Sequence, residues 1–234
     1  MEHRNLQART PHHLQVWSKA THERCRPLVY GASGCHPYYA GEWDGFKQRL
    51  MLDSFRSHPR LVAAGEMDFD FSRGNHVRGD VQRRVFQRQL LIAVEEELQL
   101  ILYLREAEKD GFEMVERFVP QSRPIHWHCV TGQWPVVRKF RDMFQNSFFG
   151  FTPLISNPRA CNARMVAQEL SLDRVAVESD APYFQPQEYR DQTKWSRPSM
   201  AFNVIQTLAT MHGASEDSVI HETNQNVKKL YGIA

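Results

Sequence analysis

Two carboxylates stand directly behind a run of three small apolar residues in Val175-Ala176-Val177-Glu178-Ser179-Asp180-Ala181-Pro182-Tyr183-Phe184. The run reads as a buried strand, too short for a helix and stopped by the proline. Residues two apart in an extended strand point to one face, so Glu178 and Asp180 are expected side by side. Ionised carboxylates taken out of water need a cation, a donor network or solvent. The stretch is therefore either a buried polar network or a site for metal binding or acid–base work.

The same arrangement, a polar residue where an apolar run ends, recurs along the chain. Glu66 follows Leu61-Val62-Ala63-Ala64-Gly65, and Tyr103 and Arg105 close Leu100-Ile101-Leu102-Tyr103-Leu104. His126 and His128 are two apart in Ile125-His126-Trp127-His128-Cys129-Val130, with His128 nearer the exit, and His36 follows Leu28-Val29-Tyr30-Gly31. Singly, each has a structural reading: Glu66 as a helix cap, His128 as a core histidine with its partners, Arg105 paired with Glu106 or Asp110. Together they offer oxygen and imidazole donors without thiolate, a set that suits Mg²⁺, Mn²⁺ or Zn²⁺.

Short apolar strands alternate with amphipathic helices from residue 28 onward. Strands are expected over 28–31, 61–66, 100–104, 125–130 and 148–151, then the stretch at 175. Helices are expected over 46–55, 81–98, around Met114 to Val119, around Val136 to Phe144, and over 158–170, 201–211 and 227–231. In the second of these Phe86, Leu90 and Val94 follow one another at i+4, with Arg83, Arg84 and Arg88 off the stripe. Such alternation indicates an α/β protein whose parallel sheet has both faces covered. No GxGxxG or GxxxxGK loop follows a strand, which disfavours the nucleotide-binding open sheets. A (β/α) TIM-barrel type is expected, incomplete, with about six strand–helix units in place of eight. In that fold the site lies at the C-terminal strand ends, where these polar residues fall. Residues 1–26 are expected to be a weakly structured or partly helical segment, with His12-His13 on its surface, and 27–234 the barrel domain.

The chain has 234 residues, 41% hydrophobic and 24% charged, which fits one globular domain. A net charge of +2 argues neither for nor against nucleic acid. No apolar run approaches the ~20 residues of a membrane span, and no apolar leader follows Met1. Cys25, Cys35, Cys129 and Cys161 are widely spaced, so a reducing intracellular compartment, cytoplasm or nucleus, is expected.

Several separated motifs resemble, in order, those of the TatD family of metal-dependent deoxyribonucleases. Gly34-Cys35-His36-Pro37 resembles G-x-H-P, Gly65-Glu66-Met67-Asp68-Phe69-Asp70-Phe71 resembles G-E-I-G-L-D-Y, and Gln82 to Leu90 resembles a Q-x3-F-x2-Q-L helix. His128-Cys129-Val130-Thr131-Gly132 resembles H-C-F-S/T-G, Glu178 to Tyr183 resembles E-T/S-D-A-P-Y, and Asn226 to Tyr231 the closing N-x3-L-F/Y. The resemblance runs from about Val29 to the C-terminus. It implies a TIM-barrel hydrolase that cleaves phosphodiesters in nucleic acid, DNA or RNA, with divalent metal, Mg²⁺ first and Mn²⁺ or Zn²⁺ next. By motif Glu66 would bridge two metals, His128 would bind one, and Asp180 would bind the other and act on the attacking water. His36 and Arg105 would meet the substrate phosphate.

The chain departs from the family pattern in three places. No D-x-H-x-H precedes Leu28, Tyr103 stands where the family has a histidine ligand, and Asp68 replaces a glycine and adds a charge beside the site. Glu66, His128 and Asp180 remain, enough for one metal site in place of two. The departures are what a chain starting after the family's first two strand–helix units would show. The competing reading is a degenerate or truncated relative that binds nucleic acid without cleaving it, or is vestigial.

Overall fold

The computed structural model describes residues 29–233. Six parallel strands form one sheet in sequence order: β1 Gly31–Ser33, β2 Leu61–Asp70, β3 Gln99–Arg105, β4 Ile125–Trp127, β5 Ser147–Phe151 and β6 Val175–Val177. Helices α1 Gly45–Ser57, α2 Gly79–Glu95, α3 Glu108–Phe118, α4 Trp134–Met143 and α5 Cys161–Glu169 connect them. Two more, α6 Ala201–His212 and α7 Glu216–Tyr231, follow the last strand. Parallel neighbours cannot be joined by a hairpin, so each connection needs a crossover, which the helices provide. The architecture is α/β of the TIM-barrel type, and among the described residues β1 and β6 stay at the two edges of an open sheet.

The strands read as continuous apolar runs because both faces are covered. Every residue of β5 is buried. On the helix side, Phe86 of α2 packs edge-on to Phe69 of β2 at 5.0 Å, and Phe140 of α4 meets Trp127 of β4 at 5.1 Å. Each such ring contributes roughly 1.5–3 kcal/mol by burial. Arg83, off the α2 stripe, pairs with Asp110 at 2.7 Å, so Asp110 is not the partner of Arg105.

Several boundaries move. The first strand lies at Gly31–Ser33 and not over 28–31, because pairing begins with the Gly31 N–H to Arg60 O bond (2.8 Å). Leu28 and the expected 1–26 segment, His12-His13 included, lie outside the described residues. Helix α7 starts well ahead of the expected 227. Ser215 caps it by accepting the Ser218 N–H (3.1 Å), and its buried polar residues Thr223 and Asn226 interrupt the apolar stripe that would have revealed it. Asn226 Nδ2 donates to Leu172 O (2.7 Å) and Val175 O (2.8 Å), pinning α7 to the entry of β6.

Candidate active site

Glu66 does not end its strand. β2 continues to Asp70, and Glu66 sits at an irregularity where the pairing with β3 slips between Ala64 and Met67. Gly65 before it has φ +148°, and a Cβ there would stand 2.5 Å from Ile101 O. Only glycine fits that approach, and the bulge re-aims the next side chain. Beyond it, Gln82 of α2 holds the strand end: its Oε1 accepts the Asp70 N–H (2.9 Å) and its Nε2 donates to Asp70 O (3.1 Å).

His128 lies just past its strand, not within it. β4 ends at Trp127, the His128 N–H still reaches Leu102 O at 2.8 Å, and Cys129 then turns the chain with φ +47°. β6 likewise ends at Val177, and Asp180 has φ +44°. Both carboxylates nevertheless reach the same side chain, His128. The turn sends the two carboxylates to opposite edges of one imidazole. Glu178 Oε2 is 3.0 Å from His128 Nδ1, while Asp180 Oδ1 is 3.5 Å and Glu66 Oε1 3.4 Å from His128 Nε2.

Glu178 is the hub. Its Oε2 also accepts the Cys129 N–H (3.1 Å), and its Oε1 lies 2.6 Å from His126 Nε2, close but off the hydrogen-bond direction. His126 Nδ1 is bonded to the Tyr231 hydroxyl at 2.6 Å, tying the end of α7 to the site. Gly150 on β5 makes room: a Cβ there would collide with Glu178 Oε1 and stand 2.7 Å from His126 Nε2. Nothing in the sequence singled out Gly150. Tyr231 was visible only as the last letter of the closing motif.

The electrostatics follow from this packing. Burial opposes charge on His128, but Glu178, Asp180 and Glu66 outweigh it and its pKa is pushed up to about 12. Burial opposes charge on Glu178 too, yet His128 and His126 hold it well below the usual carboxylate range. Glu66 is raised, by burial first and then by Asp180 and Glu178. Asp68 is fully buried without a well-formed hydrogen bond to either oxygen, and burial first, then Glu66, raises its pKa well above the ordinary value.

The donors suit a divalent cation. Glu178 takes the Nδ1 side of His128, so a neutral ring turns the lone pair of Nε2 towards two carboxylates. That arrangement needs a positive charge in the gap. Without an ion, His128 supplies it by keeping a proton. Among the described residues, however, no group of three His, Cys, Asp or Glu side chains is arranged to hold a metal ion.

His36 and Arg105 lie beside this cluster. Gln89 of α2 grips the peptide before His36, its Oε1 accepting the Cys35 N–H (2.6 Å) and its Nε2 donating to Cys35 O (3.1 Å). His36 Nδ1 accepts the Tyr38 N–H (3.3 Å), which leaves Nε2–H as its free donor, and burial lowers its pKa. Its ring centroid is 5.6 Å from that of Tyr103, which in turn is 6.1 Å from that of His128. The Arg105 guanidinium interacts with the Tyr103 hydroxyl, and among the described residues it forms no carboxylate pair.

The family model of TatD related DNase matches residues 5–232, starting ahead of Val29. The chain belongs to that family. It is 34% identical over 207 residues to the human 3'-5' RNA nuclease TATDN2, covering 88% of this chain and 27% of that protein. The chain thus spans about a quarter of that relative's length. The 3'-5' ssDNA/RNA exonuclease TatD of Erwinia tasmaniensis is 27% identical, with 87% of this chain and 78% of the relative covered. The uncharacterized metal-dependent hydrolase YabD of Bacillus subtilis is 26% identical, with 88% and 78% covered. In fold, the TatD homologue YJJV of Escherichia coli superposes with a TM-score of 0.81 at 22% identity, over 97% of this chain and 83% of that one. No helix among the described residues is long and apolar enough to cross a membrane.

Proposed function

We propose that this protein is a metal-dependent hydrolase of nucleic acid phosphodiesters that trims single strands from the 3′ end. The observation that carries the reading is the His128 imidazole gripped by Glu178 at Nδ1 with Glu66 and Asp180 facing Nε2. The TatD-type names of its relatives supply the substrate class. The non-enzymatic alternative is not favoured, since the relatives are named as nucleases and Glu178 still holds His128 against Glu66 and Asp180.

Glu66, His128 Nε2 and Asp180 would hold one divalent ion, Mg²⁺ first, with Mn²⁺ or Zn²⁺ able to use the same donors. When bound, the ion supplies positive charge to the phosphate oxygens and eases deprotonation of water. Asp180 takes the proton of the attacking water. Water oxygen bonds to phosphorus, the P–O3′ bond breaks, and the leaving O3′ takes a proton from solvent, to which Asp180 returns the one it took. Glu178 keeps His128 oriented throughout, and His36 Nε2–H and Arg105 meet the non-bridging oxygens, Arg through its planar fork. Such a substrate is met in the cytoplasm or nucleus.

The test is a nuclease assay on 5′-labelled single-stranded DNA and RNA with Mg²⁺ or Mn²⁺. Stepwise shortening that is lost with chelator and with Asp180→Asn is expected. Shortening that survives Asp180→Asn would overturn the assignment.

A further inference from the structure

A cavity of about 520 Å³ opens beside the candidate site and shares Tyr103, Arg105 and Cys129 with its surroundings. It falls in the size range of small-molecule sites. Its walls combine two aromatic rings, Tyr103 and Phe184, with the aliphatic side chains of Val136 and Leu154. Two cationic residues, Arg105 and Lys109, and two anionic ones, Glu106 and Glu108, line it, so its formal charge is balanced. Gln133 and Asn162 add amides, each with both a donor and an acceptor.

Helices α3, α4 and α5 all begin at this wall, and the caps of α3 and α5 have no side-chain hydrogen bond, leaving first-turn backbone N–H groups for a ligand. A second hollow of about 270 Å³ shares Thr131, Leu154 and Asn162 with the first and adds Arg159, extending the path outward. Aromatic and aliphatic side chains, paired donors and acceptors and balanced formal charge suit an uncharged heteroaromatic ring on a polyol. Carboxylates such as Glu108 accept from sugar hydroxyls.

We propose that this cavity seats the terminal nucleoside of the strand, its base against Tyr103 and Phe184 and its sugar towards Glu108, with its 5′-phosphate at His128. The assignment rests on the nuclease reading above and adds that the base, not only the backbone, is bound. Stacking on aromatic rings tolerates every base, so the pocket selects an unpaired end without selecting sequence.

Calorimetry on the full chain with Mg²⁺, comparing adenosine 5′-monophosphate with ribose 5-phosphate, tests this. The nucleotide is expected to bind about tenfold tighter, near the low end of what a stacked base adds. Asn162→Trp, at an exposed rim position, fills the cavity and should bring the two affinities together. Phe184→Ser should do the same and decides the matter if Asn162→Trp does not fold. Equal affinities in the unmodified chain, or an undiminished preference in the folded variants, would overturn the proposal. Strand shortening without a base preference sinks the pocket alone. A base preference without strand shortening sinks the nuclease reading alone.

Discussion

Glu178 Oε2 lies 3.0 Å from His128 Nδ1, and that contact sets which nitrogen of the imidazole faces Glu66 and Asp180. A carboxylate behind a candidate ligand histidine fixes the tautomer and raises its basicity. Glu178→Gln keeps the shape and removes the charge. We expect metal affinity or turnover to fall by about 10–100-fold with little change in the fold. Metal titration and initial rates check it, and unchanged values in both would remove Glu178 from the site's design.

The same pair makes the metal-free chain sensitive to pH. His128 is raised to about 12 from an ordinary 6.5, so its contribution is complete below about 6.5 and drains away as pH climbs through the folded value. Glu178 is lowered from an ordinary 4.5, so its contribution is present above that and is lost as pH falls through the folded value. Melting temperature without metal should therefore fall between about pH 7 and 10, and Glu178→Gln should flatten that limb. Because a cation must displace the His128 proton, apparent metal affinity should tighten over the same interval. A pH-independent metal Kd contradicts the picture.

Gly150 is expected to tolerate no side chain. In Gly150→Ala the methyl group collides with Glu178 Oε1 and crowds His126 Nε2. Overpacking of this kind costs about 1–3 kcal/mol, measurable by urea unfolding. Metal binding should weaken in parallel, because the displaced group is the one that orients His128. A variant as stable as the parent would show that the site gives way freely.

Asp68 is a proton-dependent liability. Its folded pKa is raised, so the unfolded chain ionises first and the folded state loses stability as pH rises above the ordinary 3.8. Asp68→Asn carries no such penalty. It should raise the melting temperature at pH 7.5 by more than at pH 4. Equal shifts at the two pH values would mean that Asp68 is ionised in the folded chain.

Much of this was legible in the residues alone. Alternation of apolar strands with helical stripes fixed the six strand–helix units, because a covered strand must be apolar throughout and its crossover helix apolar on one side. The identities of Glu66, His128 and Asp180 as candidates came from the same reading, since the ends of parallel strands are where a polar residue is exposed to a mouth. The Gln82 and Gln89 motif was visible too, but not that both side chains grip backbone.

What only the tertiary structure decided are the directions and distances. A period of two places Glu178 near Asp180, and only the turn with its left-handed Asp180 shows that they meet different nitrogens of His128. The register slip at Gly65, not a strand end, aims Glu66. His126 and Tyr231, 105 residues apart, meet only because α7 folds back over the sheet. Local sequence dictates backbone propensity and the face that must be buried. Bulges, turns and contacts between distant elements depend on how those faces pack together, which no short window of the chain contains.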